Sequence, residues 1–146
     1  MSRCGILLAD LVVVRKSRRE MLLLRRGAVL RSYRVALGHA PTGHKVQEGD
    51  GRTPEGRYVI DRRNPKSRYH LSLHISYPNA DDCERARSLG ADPGGDIMIH
   101  GVKNGVRHPE EDWTHGCIAV TDLEMDEIWS LVPDGTPIEI GRASCR

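Results

Sequence analysis

The stretch Tyr69-His70-Leu71-Ser72-Leu73-His74-Ile75 decides the fold class. Leu71, Leu73 and Ile75 fall on one face, and His70, Ser72 and His74 on the other. A period of two is the pattern of a half-buried β-strand, because successive side chains of a strand point to opposite faces. Its neighbours read the same way. Leu11-Val12-Val13-Val14, Met21 to Leu24 and Ala28 to Ala36 are short apolar or β-branched runs separated by charged or glycine-containing turns, which predicts an N-terminal β-meander. Gly38 to Arg52 is a long polar loop. Thr53-Pro54-Glu55-Gly56 is a turn, since Pro presets φ and Gly supplies φ > 0. A strand follows at Tyr58-Val59-Ile60, then a loop at Asn64-Pro65-Lys66-Ser67. Ile97-Met98-Ile99 is a short apolar strand ending at His100, a polar loop spans 102–112, and Pro137 to Ile140 is the last strand.

Two stretches have helical spacing. Asn79 to Leu89 has a capping Asn79, acidic Asp81 and Asp82 in the first turn, and Gly90 at its end. Its stripe of Ala80, Cys83 and Ala86 reads as the packed face. Thr121-Asp122-Leu123-Glu124 is a capping box, and Met125, Ile128, Trp129 and Val132 follow at helical intervals. The expected class is therefore mainly β with minor α, a single-domain β-sandwich with two short helices. The domain spans 10–141. The tails are 1–9, expected to be the remnant of an export signal, and 142–146.

The bulk numbers exclude several classes. A chain of 146 residues buries about 68–70% of its unfolded surface, so it needs neither disulfides nor a metal to fold. A net charge of +2 argues against a nucleic-acid binder, which carries a concentrated basic patch. The clusters Arg15-Lys16-Ser17-Arg18-Arg19 and Arg25-Arg26 read as solvated turns. No apolar run has the length of a membrane helix. The cysteines Cys4, Cys83, Cys117 and Cys145 contain no CxxC pair, and their spacing is no disulfide framework. His100, His108, His115 and Cys117 match no zinc pattern, so a metal site is not expected there. Asp96 and Asp112 read as solvated.

The chemistry concentrates at Trp113-Thr114-His115-Gly116-Cys117-Ile118-Ala119-Val120. A thiolate, not a thiol, is the nucleophile, so a reactive cysteine needs an exposed sulfur and a base. Gly116 permits close backbone approach. The N–H groups of Gly116 and Cys117 can face a developing oxyanion. His100, at the end of a buried strand, is the candidate base, and the Gly101 carbonyl can hold its tautomer in place of a carboxylate.

Ile99-His100-Gly101 followed by Thr114-His115-Gly116-Cys117-Ile118 resembles the signature of the L,D-transpeptidase catalytic domain (YkuD type). Arg52-Thr53-Pro54-Glu55-Gly56-Arg57-Tyr58 resembles the same family's Thr-Pro-x-Gly turn and strand. The resemblance covers roughly 10–141. It implies a β-sandwich with both motifs at a cleft. Cys117 would attack the carbonyl at the L-centre of meso-diaminopimelate in a peptidoglycan stem peptide. A terminal D-alanine would leave, and an amine acceptor would resolve the thioester. His100 would act as base and then acid, oriented by Gly101, with Thr114 and His115 lining the nucleophile loop. Trp113, His74, Arg57 and Arg68 are the candidate substrate contacts, with Arg63 and Lys66 beside them as carboxylate holders. The partners implied are stem peptides, a peptidoglycan-linked protein and carbapenem-type inhibitors, in the periplasm or cell envelope, and no metal or organic cofactor is implied. One position departs from the pattern: Ala119 stands where common members carry Arg or Asn. The run Asp112-Trp113-Thr114 through Gly-Cys-Ile-Ala-Val-Thr resembles a branch that includes an enzyme cutting protein–peptidoglycan links. Hydrolysis at the same Cys/His site is thus the alternative to transfer, and a non-catalytic peptidoglycan-binding protein is the second alternative.

Overall fold

The computed structural model describes residues 7–102 and 111–141. The strands are β1 (Leu11–Arg15), β2 (Glu20–Arg25), β3 (Ala28–Arg34), β4 (Gly56–Ser67), β5 (His70–Ile75), β6 (Met98–His100), β7 (Ile118–Ala119) and β8 (Pro137–Gly141). The helices are α1 (Ala80–Ser88) and α2 (Asp122–Leu131). The strands form one sheet in the order β3-β2-β1-β8-β4-β5-β6-β7. Only β1–β8 and β6–β7 run parallel.

β4 joins the two halves. Its first residues, Gly56 to Val59, pair with β8, and from Ile60 onward it pairs with β5. The register slips between Ile60 and Arg62, the kind of irregularity that bends a strand and increases its twist. The sheet curls so far that its two outer ends meet. Past the end of β3, the Ala36 N–H donates to the Ala119 carbonyl and the Ala119 N–H to that of Ala36, each at 2.9 Å. The fold is mainly β with two helices, as expected, and its two layers are halves of one curled sheet.

A single core fills the curl. Val12 and Val14 of β1, Met21 and Leu23 of β2, Ile60, Leu73, Ile75, Ile99 and Ile118 belong to one buried cluster with Met125 and Ile128 of α2. Helix α2 carries the capping box read from sequence, Thr121 with Glu124, and the capping Asn79 of α1 forms a second box with Asp82.

Local pattern misses several placements. β4 continues through Asn64-Pro65-Lys66-Ser67, which the sequence reads as a loop. Pro65 sits where the β4–β5 register shifts between Asn64 and Ser67, so its missing N–H is tolerated. Helix α1 buries Asp82 and Ala86, while Cys83 is exposed. Asp82 accepts from Tyr58 Oη at 2.6 Å and pairs with His44 at 2.9 Å, and that polar contact turns the helix. Lys16 is buried, not solvated. Its Nζ donates to the carbonyls of Gly43 (2.9 Å) and Thr53 (2.6 Å) and pairs with Glu55 (3.3 Å). Asp112 is likewise not solvated: it takes Arg19 in a forked ion pair at 2.6–3.0 Å and accepts from the Leu37 N–H. Ala9, assigned to the tail, is buried and donates to the Leu131 carbonyl. Cys4, Cys145 and His108 lie outside the described residues.

Leu73 is fully buried between β4 and β6. Leu73→Ala lowers the unfolding free energy by about 2–5 kcal/mol, measured by urea denaturation. A loss below about 1 kcal/mol would contradict the packing described.

Candidate active site

The loop that carries Cys117 is fixed from both sides. Thr114 is buried, and its Oγ1 donates to the Cys117 carbonyl (2.7 Å) and accepts from the Gly116 N–H (3.1 Å). Its backbone bonds Leu37 and His39 in the extension of β3. Gly116 has φ +139°, and a Cβ there would lie 2.8 Å from the Arg52 carbonyl and 3.0 Å from Ile97 Cδ1. Conformation and space both require glycine at this position. The Gly116 N–H, expected as an oxyanion donor, is therefore held inside the loop. Among the described residues, the Cys117 N–H has no acceptor.

His100 closes β6 and is 3% exposed. Its Nδ1 lies 2.7 Å from the Gly101 carbonyl. A carbonyl only accepts, so Nδ1 carries the proton and Nε2 is the free base. Tyr69 stacks on the imidazole, with ring centroids 4.4 Å apart and planes 19° apart, and Trp113 tilts against it at 5.8 Å. Burial pulls the imidazole below its ordinary value, against the backbone carbonyls of Gly101 and His100 that favour its charged form. Gly101 leaves no room for a side chain, because a Cβ would meet Asp122 Oδ1 and the Tyr69 carbonyl.

Cys117 precedes β7. Its thiol donates to the Asp96 carbonyl at 3.2 Å, from a residue in the left-handed region at φ +54°. The thiol is pushed up to about 11. Burial is the main cause. The charge of Asp96 adds to it, while the Met98 N–H and the charge of Lys45 oppose it. Thiol and imidazole both rest neutral.

A cleft of about 510 Å³ brings together Cys117, His100, Trp113, Thr114, His115 and Arg68. His115 is exposed, its ring edge-on to His39 at 5.7 Å. Two predicted substrate contacts lie elsewhere. His74 lines an adjoining cavity of about 190 Å³ and pairs with Asp61 at 2.6 Å. Arg57 sits at the exposed start of β4, paired with Glu139. Arg63 is committed to the end of α2, donating to the carbonyls of Trp129 and Val132 and lying over the Trp129 ring, and Lys66 does not line the cleft. The sequence reading missed Lys45, Tyr69 and the Asp96 carbonyl. Lys45 is 3% exposed, lines the cleft and pairs with Asp50 at 3.1 Å. Asp50 is itself held below the usual carboxylate range: burial raises it, but the N–H groups of Val46, Gln47 and Arg52 together with Lys45 outweigh that. The Asp50 side chain bonding back to nearby N–H groups is a local signal that could have marked the loop as ordered. Among the described residues, no three His, Cys, Asp or Glu side chains are grouped to hold a metal.

In a variant with Cys4, Cys83 and Cys145 replaced by serine, the ultraviolet absorbance of the thiolate titrates with a midpoint near pH 11. A midpoint at or below about 8.5, the ordinary thiol value, would overturn the resting state described.

Comparison with known proteins agrees with this architecture. Residues 9–140 match the YkuD family, the L,D-transpeptidase catalytic domain. YafK of Escherichia coli (strain K12), a candidate L,D-transpeptidase, is 34% identical over 106 residues, covering 71% of this chain and 37% of that protein. The chain thus spans little more than a third of the length of that relative. In three dimensions, the helical cell shape determining protein Pgp2 from Campylobacter jejuni superposes with a TM-score of 0.70 at 23% identity, over 92% of this chain and 48% of that one. The L,D-transpeptidase from Xylanimonas cellulosilytica gives a TM-score of 0.62 at 18% identity, over 93% and 62%. These likenesses below 25% identity concern the fold. The family match over nearly the whole chain carries the assignment: this chain belongs to the YkuD family of L,D-transpeptidase catalytic domains.

Proposed function

We propose that the chain is a cysteine acyltransferase acting on peptidoglycan stem peptides in the cell envelope, with Cys117 as nucleophile and His100 as base. The observation that carries this reading is the shared cleft. It holds a thiol on a glycine-hinged loop and a buried neutral imidazole whose Nδ1 is held by the Gly101 carbonyl. The family match supplies the reaction class.

The sequence of steps follows from the resting state. As Cys117 Sγ attacks the carbonyl carbon at the L-centre, its proton passes to His100 Nε2. The carbonyl oxygen becomes an oxyanion facing the Cys117 N–H, the donor left open once Gly116 is committed to Thr114. The C–N bond breaks, and His100 returns the proton to the departing D-alanine amine. An acceptor amine then attacks the thioester, His100 takes its proton, and the Cys117 thiol re-forms. Burial of both groups suits this order, because neither carries charge until substrate is engaged. Arg68 and Lys45 line the cleft and supply positive charge for stem-peptide carboxylates.

Hydrolysis by the same residues is the second reading, and Ala119 favours it. That side chain is fully buried in β7, so the loop presents no polar group at this position to meet an acceptor. Water in place of an amine would then release the stem.

Cys117→Ala abolishes turnover of defined muropeptides while the circular dichroism spectrum is unchanged; full activity would sink the mechanism. Intact-mass analysis after carbapenem treatment shows one adduct, on Cys117 and absent from Cys117→Ala. The structure of LdtMt1, an L,D-transpeptidase of the same fold, is known in complex with imipenem. Cross-linked or D-amino-acid-exchanged products identify transfer, and shortened stems alone identify hydrolysis.

A further inference from the structure

The base assigned above has an unusual setting. His100 is buried, and among the described residues no carboxylate hydrogen-bonds to it. Nδ1 donates to a neutral carbonyl. The groups that share the cleft with it are Cys117, Asp96, Lys45, Glu48, Arg68 and His115, and Asp122 of α2 lies behind Gly101. None of them is paired with the imidazole. When the thiol proton moves to Nε2, the S–H bond breaks, an N–H bond forms, and a positive charge develops on a ring that burial disfavours as a cation. The surface directly against that charge is the face of Tyr69.

We infer that Tyr69 is a positioning residue which stabilises the His100 imidazolium by stacking. The near-parallel geometry, 4.4 Å between centroids and 19° between planes, places the π face within the roughly 6 Å range of a cation–π contact, which is strongest where water is excluded. Trp113 meets both rings, at 5.8 Å from His100 and 5.6 Å from Tyr69, and completes the apolar wall.

The fold holds Tyr69 in this place on purpose-built supports. Arg68 and Tyr69 form the two-residue connection between the paired Ser67 and His70. The Tyr69 N–H donates to Ser67 Oγ at 3.0 Å. His70 takes a positive φ of 82°, and its Nε2 lies 2.6 Å from Asp126 Oδ1 of α2. Left-handed backbone at a non-glycine residue is uncommon and is held by its surroundings. Here it turns the hairpin tip so that Tyr69 lies flat on the imidazole. The Tyr69 carbonyl also closes over Gly101, the residue whose own carbonyl fixes Nδ1.

This inference rests on His100 being the base, and the test separates the two. The His100 imidazole is titrated by heteronuclear NMR in the wild type and in Tyr69→Phe, Tyr69→Leu and Tyr69→Trp, with melting temperatures recorded for each. Phe keeps an aromatic face, so the midpoint stays within about 0.3 units. Leu removes the face, so the midpoint falls by about one unit. kcat/KM on a muropeptide at neutral pH then drops by up to about tenfold, since one unit of basicity is a factor of ten in the proton-transfer equilibrium and the rate follows it by a Brønsted fraction. Trp, the strongest cation–π partner, serves where Leu fails to fold, and it holds or raises the midpoint. A midpoint unmoved by Leu, or lowered equally by Phe, Leu and Trp, overturns the role of Tyr69. Full turnover by His100→Ala would instead overturn the assignment of the base, whatever the Tyr69 variants show.

Discussion

The backbone pair between Ala36 and Ala119 is the constraint on which the site depends. It is a two-bond contact between opposite ends of an eight-stranded sheet. β7 is only two residues long and pairs with β6 on its other side. It has no independent stability as a strand. The extension of β3 gives it a second neighbour, and the same extension holds Thr114 through Leu37 and His39. Cys117 therefore sits between a strand paired on both sides and a threonine pinned by backbone. The forked Arg19–Asp112 pair anchors the same loop one step earlier, and Asp112 also takes the Leu37 N–H. Curling the sheet and aiming the thiol are one event.

The electrostatics follow from that enclosure. Many cysteine nucleophiles are kept as thiolates by a neighbouring cation or a helix N-terminus. Here the closest acceptor of the thiol is a carbonyl, and both partners are partly or wholly out of water. Charge separation in the cleft is disfavoured on both sides, since burial raises the thiol and lowers the imidazole. Lys45 is the exception in sign, a buried cation balanced by Asp50. Its charge favours the thiolate without contacting it.

Much of the molecule was legible because the information is local. Alternation in Tyr69–Ile75, the Val run of β1, the Asn79 cap and the Thr121 capping box are short-range signals, and each produced its element. Cys117, His100 and Gly101 were legible as a motif, and the His100–Gly101 bond joins adjacent residues. What was missed depends on partners distant in the chain. Nothing near Lys16 tells that Thr53 and Gly43 will close over it. Asp112 meets an arginine 93 residues away. Pro65 looks like a strand breaker until a bulge absorbs it. Arg57 and His74 were placed by proximity in sequence to a turn and a histidine-bearing face. β4 points one away from the cleft, and Asp61 holds the other outside it.

The position of β8 in the sheet has a consequence for assembly. It is the last described strand, yet it lies between β1 and β4, near the middle of the order. Before residues 137–141 take their place, β1 and β4 each present an open edge, and the two halves meet through the backbone bridges at their far ends, Ala36 with Ala119 and Gly38 with Thr114. Pairings of such wide sequence separation are slow to form, and unpaired edges invite wrong partners. The final strand thus acts as a keystone: a chain interrupted short of it keeps the β6–β7 pair that carries His100 and leads from Cys117, and lacks the seam that joins β1 to β4.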